Sequence, residues 1–463
     1  MTFKNKIILI FSAALAIRLI FGLGLFFSGQ ELYSQTGDAP DYIQTAQNFL
    51  EKRIWSADPG ANPQPDNLRT PVYPLFLSIF IFLKIPLFFA AVFQDLLMAI
   101  TAVFVFTLGR RIFSEKNAFW SALIFALDPY LSSTFISKSI MTEPIAIFFL
   151  TVAFLNLAVF IKEKNVKNLT WGSIFLALLA LTKPQFFFFV IFIGLAILFS
   201  QQKQKLKKLA FSGCLFFFLV SPWMIYNFVS FKTLQFSSVS NVTLYVIADY
   251  FQQWKNKSYD KNYEGYIGKA QKIVGAENAA QLFRPEKAKK LSEIGKKTIL
   301  QNPLSFAFYH LIHIPRLFWH DTTIETVSKN FGIKKSDKGG SDIEAARNLL
   351  TGNFKKGIID IKENPVWIIS LFLKILALTL GALAVLNPLI KYAATKRFSA
   401  TSTLIAFAII FYAAMISPVG QHRYRSLIEP MVLLLSLETL GMFFILTNHL
   451  KLWRKHIKNN EYQ

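Results

Sequence analysis

Ten apolar runs, at about 7–27, 86–108, 118–136, 144–161, 169–182, 186–200, 209–226, 366–390, 399–416 and 427–447, constrain this chain more than any other feature. In the hydrocarbon of a bilayer each backbone N–H and C=O must be satisfied within the protein, so runs of this kind are read as helices. Several fall short of the roughly 20 residues a straight crossing takes, which leaves their ends loose by a few residues. With 53% hydrophobic and only 17% charged residues, the chain is far from a soluble protein, whose charged share is about 25%. An all-α polytopic membrane protein is expected.

The net charge of +23 does not point to nucleic acid, because the lysines and arginines lie in short clusters between apolar spans. With the amino terminus inside, the inner connections are Arg110-Arg111 to Lys116, Lys162 to Lys167, Lys203 to Lys208 and Lys391 to Arg397, then the tail from Lys451. All are basic, as cytoplasmic loops are. Both termini are therefore expected in the cytoplasm. The outer connections are then 28–85, the turn Ser137 to Glu143, the break at Lys183-Pro184, the long loop 227–365 and Ser417 to Tyr424. The first run follows Lys4 and Lys6 without a small-residue cleavage site, so it reads as a retained anchor. Cys214, the one cysteine, cannot form an intramolecular disulfide.

Three parts follow: 1–226 with its first outer loop 28–85, an extracytoplasmic loop domain 227–365, and C-terminal membrane helices with a basic tail, 366–463. The apolar stretch 73–83 is too short to cross and is expected to be interfacial or re-entrant. The loop domain is expected to be mostly helical, as at Pro285 to Leu300 and Leu304 to Trp319. Lys334 to Ser341, with Gly339-Gly340, reads as a loop tip.

The unusual polar residues fall in the outer connections. Asp38 and Asp41 would share one face of a short surface helix over Asp38 to Leu50. A carboxylate there can take a proton from an attacking hydroxyl or amine, with a partly apolar setting raising its basicity; alternatively Asp38 caps the helix. Arg69 suits a phosphate or the two acids, or snorkels to lipid headgroups. Lys138 and Glu143 sit in SKSIMTEP, where Pro144 fixes Glu143 at the membrane edge. Lys183 interrupts about thirty apolar residues; a lysine at a helix centre costs about 2.5 to 3.5 kcal/mol, so it faces a polar cavity or phosphate, or marks a hairpin turn. His422, Arg423, Tyr424 and Arg425 stand where the charge rule disfavours cations, and an anionic headgroup or pyrophosphate would explain them. Arg18, Asp95 and Asp128 lie inside spans, to pair with one another or cap helix ends.

There is no GxxxxGK[ST], HExxH or CxxC motif, which removes nucleotide hydrolysis and standard zinc sites. The sequons at Asn241 and Asn256 are too short to be specific.

The motifs GDAPDY (37–42), RTPVYP (69–74), GRRIF (109–113), MTEP (141–144), LTKPQ (181–185), SPWMIYN (221–227) and HRYRSLIEP (422–430), in order, resemble the GT-C superfamily of membrane glycosyltransferases. The closer likeness is to the dolichyl-phosphate-mannose-protein mannosyltransferases and their aminoarabinose-transferase relatives. That resemblance implies a GT-C-type bundle of about ten to twelve helices, with 1–226 as the catalytic module. It implies sugar transfer from a polyprenyl-phosphate donor to a protein, lipid or glycan acceptor, on the outer face of the cytoplasmic (inner) membrane. Carried over by motif, Asp38 is the acceptor-activating base with Asp41 as alternate, and Glu143 is the second acid. Arg69, Lys183 and Arg423 hold the lipid phosphate, joined by Lys138, His422, Tyr424 and Arg425. Lys183 stands where relatives commonly have arginine, and Tyr226 where arginine often precedes the asparagine. A divalent cation, Mg or Mn, is compatible with the acids. The rival readings are a polysaccharide polymerase or ligase and a lipid-linked sugar flippase or transporter.

Overall fold

A computed structural model describes residues 1–443 apart from 36, 257–262, 279, 320–321, 332–365, 418 and 420. The expected loop tip Lys334 to Ser341, the tail from Lys451 and the end of the last apolar run lie outside the described residues.

The regular secondary structure among the described residues is helical, with one isolated bridge between Ser34 and Ser139. Five helices are long and apolar enough to cross a membrane: α1 (Phe3–Phe27), α4 (Phe88–Ile112), α6 (Glu143–Glu163), α9 (Lys205–Phe231) and α16 (Val366–Thr395), the last by its stretch Ile369–Thr395. Shorter apolar helices fill the bundle: α7 (Val166–Thr182), a 3-10 turn Pro184–Val190 leading into α8 (Ile191–Phe199), α17 (Ala400–Ile416) and α19, over 429–443. The chain is thus a multi-pass membrane protein with the all-α architecture its apolar runs require. Its core is aromatic and aliphatic, with Phe154, Phe186, Phe189, Phe192 and Tyr412 fully enclosed among α6, α8 and α17.

One expected span is shorter than its apolar run. Residues 118–136 do not form one helix: α5 (Glu115–Ala126), capped by Ser114 accepting from Asn117 N, ends at Leu127. Pro129 disfavours helical backbone at Asp128, and the chain to Thr142 is turns. The turn before α6 is accordingly 127–142, much longer than the expected Ser137 to Glu143.

The basic connections gather at one end of the bundle. Lys6 meets Glu115 at 2.5 Å, Arg110 meets Glu115 at 3.2 Å, Arg111 pairs with Glu163, and Lys391 meets Glu438 at 2.7 Å. At the other end lie α2 (Ala39–Lys52) and α3 (Val72–Phe82), packed on each other. Eleven residues make α3 about 16 Å long, too short to cross, as expected.

The segment after α9 contains α10 (Ser238–Lys255), α11 (Tyr263–Val274), α12 (Pro285–Gln301), α13 (Pro303–His313), α14 (Arg316–Trp319) and α15 (Thr323–Asn330). The single helix anticipated over Leu304 to Trp319 is two, broken at Ile314-Pro315. A short helix α18 (His422–Arg425) follows α17.

Candidate functional site

Three acids and three cations from five separate stretches interleave at this end. Arg69 Nη2 donates to Asp38 Oδ1 at 2.8 Å and to Asp41 Oδ2 at 2.5 Å. Arg423 Nη2 donates to Asp38 Oδ2 at 2.7 Å while its Nε donates to Glu143 Oε1 at 2.5 Å. Lys183 Nζ donates to the same Glu143 oxygen at 3.0 Å. The side chains range from enclosed to open: Glu143 is 0% and Lys183 7% exposed, against 34% for Asp38 and 38% for Asp41.

Local sequence explains each placement. Asp38 precedes α2, whose second residue is Pro40, yet its side chain makes no capping bond; the helix-cap reading gives way to the two guanidiniums. Asp41 lies one turn on, on the same face, as its spacing suggested. Glu143 opens α6 with Pro144 behind it, where the positive end of the helix dipole favours a carboxylate. Lys183 ends α7 in extended geometry, φ −136° and ψ 111°, as a residue before proline tends to be, and this turns its side chain from the helix line toward Glu143.

The expected basicity of Asp38 is corrected by this geometry. Burial works against its charge, but Arg69 and Arg423 outweigh it and hold the carboxyl well below the usual carboxylate range. In this arrangement Asp38 is a weak base.

Two clefts meet at Arg423. One, of about 80 Å³, is lined by Asp38, Tyr42, Arg69, Lys183, Gln185 and Tyr424 among others. The second, of about 460 Å³, has Gly37, Met141, Tyr130, Phe135, His422 and Lys329 in its wall.

Not every sequence candidate joins the cluster. Lys138 is buried and pairs with Asp95 of α4. Arg425 turns to Glu429 (3.2 Å) and to the carbonyl of Phe318. His422 stacks on Tyr130 with ring centroids 3.6 Å apart, and its Nδ1 accepts from Thr322 N at 3.1 Å. Tyr424 lines the smaller cleft, its carbonyl accepting from Tyr412. Arg18 is buried and donates to the carbonyls of Ala14 and Ala126, while Asp128 accepts from Leu131 N. For a divalent cation, the carboxylates present do not fit: Asp38, Asp41 and Glu143 are each taken by a guanidinium or ammonium. Among the described residues no group of three His, Cys, Asp or Glu side chains could hold one.

Sequence reasoning missed the scaffold of the cluster. Tyr73 Oη donates to Gln94 Oε1 at 2.6 Å, and Gln94 Nε2 donates to the carbonyls of Ser139 (2.6 Å) and Ser137 (3.3 Å), fixing the turn before Glu143. Ser34 and Ser139 pair in parallel, tying that turn to the strand before Asp38. Tyr226, where an arginine was expected from the resemblance, donates to the carbonyls of Trp55 and Asp66 and clips the first loop to α9. A buried glutamine and tyrosine carry no motif signal; their apolar surroundings alone could have flagged them.

Residues 68–226 match the family model of dolichyl-phosphate-mannose-protein mannosyltransferases. No curated protein matches the chain. Solved structures of the oligosaccharyltransferase of Archaeoglobus fulgidus are similar. The complex with zinc and sulfate is 12% identical over 96% of this chain and 50% of that one, with a TM-score of 0.49. AglB bound to an inhibitory peptide and a dolichol-phosphate is 14% identical over 96% and 52%, with a TM-score of 0.45. The chain spans about half the length of these structures.

Proposed function

We propose that this chain, whose residues 68–226 match the family model of dolichyl-phosphate-mannose-protein mannosyltransferases, is a membrane glycosyltransferase. It moves a sugar from a polyprenyl-phosphate donor to an acceptor at the outer face of the cytoplasmic membrane. The observation that carries the reading is Arg423, which bridges Asp38 and Glu143 where two clefts meet.

The smaller cleft suits the donor phosphate, with Lys183, Arg423 and Arg69 around it and a buried Arg69 Nε that has no hydrogen-bond partner. As the acceptor oxygen bonds to the anomeric carbon, the carbon's bond to the phosphate oxygen breaks and the electron pair leaves with the phosphate. The anomeric configuration inverts, and the acceptor's proton passes to Asp38. The leaving phosphate gains negative charge, which the three cations stabilise.

The clamp on Asp38 makes the base conditional. A phosphate that draws Arg423 toward itself takes one guanidinium from Asp38, and the carboxylate recovers basicity when a donor is present. Glu143 is enclosed and its hydrogen bonds are with Lys183, Arg423 and Thr142, so it positions Lys183 and Arg423. The larger cleft, with its aromatic wall, is the acceptor's approach to Asp38.

The test is transfer by purified Asp38→Asn protein at saturating donor. Turnover should fall about two to four orders with donor binding retained. Near-normal turnover would overturn the assignment and pass the role to Asp41.

A further inference from the structure

The exposed face of α13 has the wrong polarity for water. Leu304 is 85%, Leu311 62% and Phe308 55% exposed, with Ile312 beside them. Spacings of three and four residues place these side chains on one stripe, and α13 carries no Lys, Arg, Asp or Glu. Phe306, Tyr309 and His310 face the protein instead. Tyr309 is buried and Phe306 packs edge-on to Phe251 of α10. His310 meets the carbonyl of Ala414, and Ser417 Oγ donates to the carbonyl of His310 at 2.9 Å.

That last contact sets the height of α13. Ser417 caps the end of α17, so α13 is fastened at the end of an apolar helix of the bundle. The preceding helix supplies the matching charge. On α12, Lys289, Glu293, Lys296 and Leu300 follow one another along one face, with Lys297 alongside, so two lysines lie just before an exposed leucine at the α13 end.

We infer that α13 is an interfacial helix: its Leu304, Phe308 and Leu311 face inserts among the acyl chains of the leaflet on the site's side, and Lys296 and Lys297 meet anionic phospholipid headgroups. An apolar face sunk into the interface beside a basic flank is the pattern of helices that lie on membranes. The inference does not depend on the reaction proposed above. It has a structural consequence for the site, because α13 leads through Pro315 to α14, whose Phe318 carbonyl receives Arg425 two residues from Arg423. Membrane contact at α13 would therefore bear on the position of the helix that carries His422 and Arg423.

The experiment is site-directed spin labelling of the full chain in nanodiscs, in a Cys214→Ser background because Cys214 is exposed. Labels at Leu304→Cys, Phe308→Cys and Leu311→Cys should be relaxed strongly by oxygen and weakly by Ni-EDDA, with the reverse at Lys289→Cys. In discs containing phosphatidylglycerol, Lys296→Glu with Lys297→Glu should make the label at 304 shallower than in the parent, and in pure phosphatidylcholine it should not. Labels at 304, 308 and 311 as open to Ni-EDDA as the one at 289 would place the stripe in water and overturn the proposal. Shielding from both reagents would mean that a second copy or another protein covers the stripe, which overturns it too. An unchanged depth on charge reversal would overturn the headgroup contact.

Discussion

Replacing Glu143 by glutamine tests whether the cations around it form a phosphate cradle. The Glu143 side chain is wholly enclosed and one oxygen accepts from both Lys183 and Arg423. Removing one partner of a buried ion pair costs about 3 to 5 kcal/mol. Glutamine keeps a carbonyl for one donor and Arg423 keeps Asp38, so the lower end, about 3 kcal/mol, applies to the empty protein. A bound phosphate restores the missing anion. If half of that loss is recovered on binding, donor affinity tightens about tenfold, since about 1.4 kcal/mol is a factor of ten, while transfer slows because Arg423 has lost a positioning contact. The assay is thermal unfolding of wild-type and Glu143→Gln protein in nanodiscs, with and without a long-chain polyprenyl phosphate. The melting point of the empty variant should drop, and added lipid should raise it by more than it raises the wild type. A drop with an equal or smaller lipid-induced rise would refute the cradle.

The state of Asp38 gives a pH signature. Its folded pKa is depressed, so its stabilisation is present above the unfolded value of about 3.9 and is lost only as pH falls below that. If donor binding frees it, the acid limb of kcat, which reports the complex, should lie at higher pH than that of kcat/KM, which reports the free enzyme; coincident limbs, measured over the same range, would remove the conditional base. For topology, reporter fusions after Lys205 and after Gly275 should report opposite compartments, and one compartment for both would overturn the arrangement.

The spans were legible because lipid leaves the backbone no alternative to helix, and the cluster was legible because charges at membrane depth are conspicuous. What the sequence hid was pairing. Lys138 and Lys183 look alike as lone lysines near the membrane edge, but Asp95 takes the first and Glu143 the second, a choice made by packing of α4 and α6. The basicity of Asp38 was misjudged for the same reason: a partly apolar setting raises a carboxyl, but two guanidiniums from 31 and 385 residues away lower it further. The end of α5 was in the sequence at Asp128-Pro129, but the apolar run 118–136 masked it.

The parallel pairing of Ser34 with Ser139 has a consequence for how such a protein can vary. Asp38 and Glu143 each stand four residues beyond their bridge partner, so the two arms act as the legs of a caliper whose pivot is a pair of backbone hydrogen bonds. Composition along those arms is free to drift as long as their lengths stay matched. One residue inserted into either leg would carry one carboxylate past the other and part them from the single guanidinium they share. Insertions at the exposed tip of the first loop, 59–62, leave the legs equal, and there the chain has room to lengthen.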